Sequence, residues 1–385
     1  MKSLKMNSLQ RLVAFVLITV LLLCVVGFAA GGWQSAPDNE PDSGDVGNNT
    51  DETDENTDGK NEQTDSKNPT EDPDGIKDPI DEPTDEPTIE VPKYYSSITG
   101  LEISAEQLAA TPIGFVLNPQ MPLYGISNSD ITIEFPLENG NTRLLSYTTN
   151  SSVLWKVGSL APSRAFISSC SNFFGGIVVS YGNDDIVKYS AWDASKVTLD
   201  ISKISGCYYV ENTLYIYTSK DMVDLATQKS AYVTGTTYKN APYLLSDSKI
   251  IGTTEASSVI LPYSDSDETE LYYSETSGNY LYYKSGARKI DMLNGKNITF
   301  TNAFVLFANS TTYENADGTE LVVDNTGGGS GYYISKGYMT EIRWSVDETG
   351  CLEFKTLSGE KLSVNCGNAY IGYYKASNAS KVTIA

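Results

Sequence analysis

The chain has no histidine among its 385 residues. That absence excludes Ser/His/Asp and Cys/His nucleophilic catalysis, His-ligated zinc and imidazole pH switching. Carboxylate, Ser/Lys and tyrosine chemistry remain. Positive charge is also scarce: 27 Lys and Arg stand against 49 Asp and Glu, for a net charge of −22. The imbalance is local, because residues 31–92 alone hold 20 acids and three lysines. The remainder is mildly acidic, the wrong sign for gripping phosphate backbones, so no nucleic-acid partner is expected. Neither a metal nor a cofactor is expected. Of five cysteines, Cys24 lies in an apolar run, whereas Cys170, Cys207, Cys351 and Cys366 lie further on. Four is an even number, compatible with two disulfides.

Long apolar runs are limited to Leu12–Ala30, nineteen residues interrupted only by Thr19. As a helix this run is about 28 Å long, close to a bilayer's hydrocarbon thickness. Lys2, Lys5 and Arg11 precede it and an acidic tract follows, an asymmetry that places residues 1–11 in the cytoplasm and the rest outside. An uncleaved single-pass anchor is the first reading. Cleavage at Gly27-Phe28-Ala29 would instead release a secreted protein, and lipidation of Cys24 is disfavoured by the bulky Leu23 before it. Residues 31–93 are rich in Asp, Glu, Thr, Asn, Pro and Gly, with almost nothing to bury, and read as a disordered spacer. Weak calcium binding by its carboxylates is the alternative, but no spaced calcium loop is visible.

The folded part reads as α+β and β-rich: a mixed α/β subdomain over 94–252, then a nearly all-β subdomain over 253–378. Ser104 and Gln107 have capping-box spacing before a short helix at Ala105–Ala109. Strands are expected at Ile113–Leu117, Ile131–Phe135 and Thr142–Tyr147, the last two forming a hairpin across Glu138-Asn139-Gly140-Asn141. Ser163 is placed to cap a helix whose stripe is Phe166, Ile167, Cys170, Phe173 and Phe174, and Ser219 to cap another through Val223, Leu225 and Ala226. The Gly327–Gly331 tract lacks the Lys-Ser/Thr of a phosphate loop and leads into a strand. Many of the 26 tyrosines sit in strands, where packing explains them better than a sugar-stacking platform does. With Ser358-Gly359 as a two-residue loop, Cys351 and Cys366 would face each other across a hairpin; a disulfide is expected there, and Cys170–Cys207 is a second candidate.

Several segments together resemble the YerB-like family of bacterial lipoproteins, whose halves are domains of unknown function. Ser97-Ile98-Thr99-Gly100-Leu101 is similar to its opening Pro-Leu-Thr-Gly-Leu, and Gly125–Glu134 to its Gly-Leu-Ser-x-Ala-Asp-Ile-Val-Tyr-Glu. Asn141-Thr142-Arg143 is similar to its Ile-Thr-Arg, while Tyr280–Asp291, Asn302–Phe307 and Gly329–Trp344 follow its strand pattern. The family's Gly-Pro-Val-Arg-Ser-Ala-Arg becomes Gly158-Ser159-Leu160-Ala161-Pro162-Ser163-Arg164, with one arginine kept. Its Pro-His-Asn-Leu-Tyr-Thr-Ser aligns with Thr213–Ser219, and its His-x-Asp becomes Lys289-Ile290-Asp291. If the family's polar groups form a binding site, the resemblance implies that Glu134, Arg143, Arg164 and Asp291 remain of it and every imidazole is lost.

These readings converge on a membrane-tethered, extracytoplasmic binding or scaffold module that contacts a cell-envelope protein or a wall component. Arg143 and Arg164 would clamp an anion or carboxylate through paired guanidinium donors, unless each simply pairs with an acid such as Glu134. The alternative is an envelope hydrolase with Glu134 and Asp291 as paired carboxylates.

Overall fold

The run Ile131–Pro136 shows why these residues fold as they do. Side chains alternate across a strand. Ile131, Ile133 and Phe135 enter one apolar layer, while Thr132 and Glu134 point the other way and are also buried. Asn302–Ala308 repeats the pattern: Phe304, Leu306 and Ala308 join the first layer, and Ala303, Val305 and Phe307 the second. Strands covered on both faces read as continuous apolar runs rather than as alternation.

The computed structural model describes residues 92–183, 198–212, 214–230, 237–238, 241–315, 318–348 and 350–385. The apolar segment 12–30 and the acidic spacer up to residue 91 lie outside them. Among the described residues, no helix is long and apolar enough to cross a membrane.

In chain order the main elements are α1 (Ala105–Ala109), β1 (Ile113–Leu117), β2 (Ile131–Pro136), β3 (Thr142–Thr148), β4 (Val157–Gly158), α2 (Ala165–Ser168), α3 (Ser171–Phe174), β5 (Ile177–Ser180) and β6 (Thr198–Asp200). Then come β7 (Tyr209–Glu211), β8 (Tyr215–Thr218), α4 (Lys220–Lys229), β9 (Ser258–Pro262), β10 (Glu268–Ser274), β11 (Asn279–Lys284) and β12 (Asn302–Ala308). The chain continues through β13 (Ser310–Asn315), β14 (Gly318–Val323), β15 (Gly328–Ser335), β16 (Tyr338–Val346), β17 (Leu352–Lys355), β18 (Ser363–Asn365) and β19 (Ala369–Lys375). The class is α+β and β-rich, as the sequence indicates.

One 11-stranded sheet organises the molecule, in the order Thr254–Glu255, β16, β15, β12, β19, β2, β3, β1, β5, β6, with β17 paired to β16. Strands from both sequence halves therefore share it. They join where β19 runs parallel to β2, pairing Ala369 with Ile131 and Gly372 with Glu134. A six-stranded sheet containing β9, β10 and β11 supplies Val259, Leu261, Leu271, Tyr280 and Tyr282 to the second apolar layer. The described residues belong to one compact unit.

Helix α1 carries the expected reciprocal cap between Ser104 and Gln107, and Ser219 caps α4 by accepting from the Met222 amide. The helix expected after Ser163 is instead two single turns, α2 and α3. Ser163 turns its hydroxyl to Ser168, 2.7 Å away, instead of capping. The stripe is nonetheless buried, with Phe166, Ile167, Cys170, Phe173 and Phe174 all in the first layer. Gly328–Ser335 begins within the glycine tract and is a strand.

The Cys351–Cys366 bridge is not formed, and all four described cysteines are unbonded. The turn is longer than two residues. Lys355 bridges Lys361 and the Thr356 amide reaches the Glu360 carbonyl, which shifts the register by one. The returning chain then leaves its neighbour, because β18 pairs in parallel with Leu244–Ser246. Cys366 ends beside the Ser246 carbonyl at 3.5 Å, while the Cys351 amide donates to Asp347. Cys170 and Cys207 are separately buried and unbonded.

Candidate functional site

The four residues singled out by sequence do not share one site. Strand parity separates two of them: Glu134 lies opposite Leu144, and Arg143 lies opposite Phe135, so their side chains leave opposite faces of the sheet. Glu134 faces the second sheet. Its Oε1 accepts from Lys284 Nζ at 2.7 Å and Thr142 Oγ1 at 2.5 Å, and its Oε2 from Tyr370 at 2.7 Å and Thr269 at 2.8 Å. Lys284 is also in direct contact with Asp267 Oδ1. This Glu134–Lys284–Asp267 triad is sealed between the sheets, with Lys284 Nζ 5.0 Å from the centre of the Tyr263 ring.

Arg164 is buried on its own ion pairs, at 2.9 Å to Glu138 and 3.5 Å to Glu320. It does not serve as an exposed anion clamp, and its acids are not Glu134. Arg143 is half-buried and reaches the Thr142 carbonyl at 3.4 Å.

Asp291 is wholly buried and accepts from the Gly125 amide at 2.8 Å, the Ser127 amide at 2.8 Å, the Ser127 hydroxyl at 2.6 Å and the Leu293 amide at 2.9 Å. It ties the loop at residues 123–127 to the hairpin that follows β11. Each of the two carboxylates assigned to a hydrolase is thus surrounded by protein donors in its own closed network. Both carboxylates are fully buried.

The family-like segments nevertheless converge on residues 121–127. Tyr124 and Gly158 exchange backbone hydrogen bonds of 2.6 and 3.3 Å, Gly158 pairs with Tyr217, and Lys289 donates to the Met121 carbonyl at 3.4 Å. Around this junction β4, β8 and β7 form a three-stranded sheet. Lys156 Nζ lies 4.1 Å from the Tyr124 ring centre and 4.0 Å from that of Tyr217, and 3.1 Å from Glu211. Burial opposes its charge, but the Glu211 contact and the rings outweigh burial and raise its pKa. Burial pushes the Tyr217 phenol up as well, helped by neighbouring Tyr124.

Beside this cage the surface opens. Trp155 is 68% exposed at the rim of a cavity of about 410 Å³ that is also lined by Ser151, Ser152, Ser219, Asp221 and Asp224. The Lys220 amide donates to the Leu154 carbonyl at 2.9 Å, fixing the start of α4 against this loop. Lys220 Nζ is held by Asp224 at 2.7 Å. Val153, Val210 and Leu214 are also prominently exposed. Sequence reasoning missed this face, although Trp155, a large apolar residue beside a turn, was its visible signal. Among the described residues, no group of three or more acidic or cysteine side chains is arranged to hold a metal ion.

Residues 259–371 match the family profile described as the protein of unknown function (DUF3048) C-terminal domain. The fold is similar to that of the YerB protein from Bacillus subtilis, whose crystal structure aligns with a TM-score of 0.64 at 21% identity, covering 76% of this chain and 100% of that one. No curated protein matches at a significant level. Both findings bear out the resemblance to a divergent YerB-like protein, and the family description assigns no activity.

Proposed function

We propose that this chain is an extracytoplasmic binding or scaffold module, held at the membrane by residues 12–30, that captures an envelope protein or wall component through the face around Trp155. One observation carries this reading: Trp155 is the most exposed large apolar side chain of the described residues, and it borders a cavity lined by hydroxyls and carboxylates. Indoles standing in solvent beside polar groups are characteristic of recognition surfaces. The two carboxylates singled out for hydrolysis, Glu134 and Asp291, are engaged inside the protein, which favours binding over catalysis.

The test is photocrosslinking in intact cells with the probe at position 155 or 152 of the full chain, both lining the cavity, and at Tyr272 on the second sheet as reference. A discrete adduct at 155 and 152 but not at 272 is expected. Equal labelling at all three positions would sink the assignment of the face. Protection of the folded region from protease added outside intact cells would sink the location.

A further inference from the structure

The buried triad of Glu134, Lys284 and Asp267 has the layout of a reaction centre whose substrates are two of its own side chains. We propose that Lys284 and Asp267 condense into an intramolecular amide bond, with Glu134 as the proton carrier.

The geometry supplies each participant. Lys284 ends β11, and its neighbour across the ladder is Thr269, two residues beyond Asp267. The side chains of Lys284, Asp267 and Glu134 are at most 1% exposed. Lys284 Nζ is in direct contact with Asp267 Oδ1, so the amine and the carboxyl group are already side by side. Gln120 Nε2 donates to the other oxygen, Oδ2, at 2.6 Å. The Asp267 carbonyl accepts from the Tyr263 and Ser264 amides, both at 2.9 Å, so the backbone bearing the acid is fixed.

The environment favours the neutral product. One cation and two carboxylates share a site closed to water, where desolvation weighs against every charge. Burial is the chief influence on Asp267 and raises its pKa, against the opposing pull of Lys284. The acid form therefore becomes accessible.

The reaction balances without an oxidant. The Lys284 ammonium passes one proton to Asp267 Oδ1, leaving an amine and a carboxylic acid. The nitrogen attacks Cγ while Gln120 steadies the charge that develops on Oδ2. Glu134, 2.7 Å from the nitrogen, takes a second proton from it and hands it to the Oδ1 hydroxyl. That group leaves as water, an Nζ–Cγ amide remains, and Glu134 returns to its carboxylate form. The bond would join the open end of the β10–β11 hairpin, in a protein whose described cysteines form no disulfide.

Peptide mapping of the native full chain tests this directly. Trypsin cannot cut after an acylated lysine, so the expected product is Ile250–Arg288, uncleaved at Lys284 and one water lighter than its sequence. Cleavage after Glu275 should leave its two arms joined. Asp267→Ala should restore both the tryptic cut and the full mass, Glu134→Gln should leave most molecules unbonded, and Asp267→Asn should reach the wild-type product mass by losing ammonia. A wild-type peptide Ile250–Lys284 at full sequence mass would mean an ion triad only and would overturn the proposal, whatever the variants do.

Discussion

Asp291 and Ser127 meet twice: the carboxylate accepts both the amide and the hydroxyl of Ser127, at 2.8 and 2.6 Å. An acid that sequence alone suggested for chemistry instead holds a loop in place. Asp291→Ala leaves the Gly125, Ser127 and Leu293 amides without their acceptor, a loss of roughly 3 kcal/mol at the scale of charge-assisted hydrogen bonds. Urea unfolding should show it as a lowered midpoint with little change in slope. A shift below about 0.5 kcal/mol, the range of neutral surface changes, would contradict this role.

Arg164→Gln should be among the most damaging single changes. It removes the cation that Glu138 and Glu320 share, and breaking such a buried cluster costs about 3–5 kcal/mol. The folded fraction should still capture whatever the Trp155 face binds. Normal stability with lost capture would restore the anion-clamp reading.

Asp130 should leave a mark on pH dependence. Burial raises its pKa despite hydrogen bonds from Thr149 and Tyr238, so the folded protein holds this proton more tightly than the unfolded chain. Ionised Asp130 therefore costs stability above its folded pKa, and the cost is relieved as pH falls through that value toward the ordinary value of about 4. Melting temperatures across a pH series should show Asp130→Asn gaining on the wild type at neutral pH and losing that advantage in acid. A gap that widens on acidification would contradict the assignment.

Thiol accessibility follows from burial. Cys170 and Cys207 are fully buried, and burial pushes the Cys170 thiol far up despite a bond from Asn325. In the native protein neither should react with a thiol reagent, whereas Cys351 and Cys366 should react slowly. Denaturation without reductant should release all four. Fewer than four would reveal a disulfide.

The strands legible from sequence are those whose residues speak for themselves. Ile113–Leu117 is a short apolar run between turn signals, and Ser219 announces α4. Ala369–Lys375 has no comparable signal, because its identity as a central strand comes from partners at Asn302–Ala308 and Ile131–Glu134, far away in sequence. The bridge expected between Cys351 and Cys366 failed on a one-residue turn length, a detail that sets register but leaves little trace in composition. For the triad, a signal was present. Tyr280, Tyr282 and Lys284 share one face of β11, so a lysine stands where tyrosines face inward, and Glu134 interrupts the apolar run of β2. What sequence could not show was that these two anomalies answer each other.

The parallel pairing of β19 with β2 also sets an order of events. During synthesis β2 emerges long before its neighbour, so one edge of the growing sheet stays open while more than half of the described chain is still to come. Such distant pairings form slowly, and open edges invite pairing with the wrong chain. The first half is therefore a dependent intermediate whose soluble lifetime relies on the arrival of its own distant C-terminal strand.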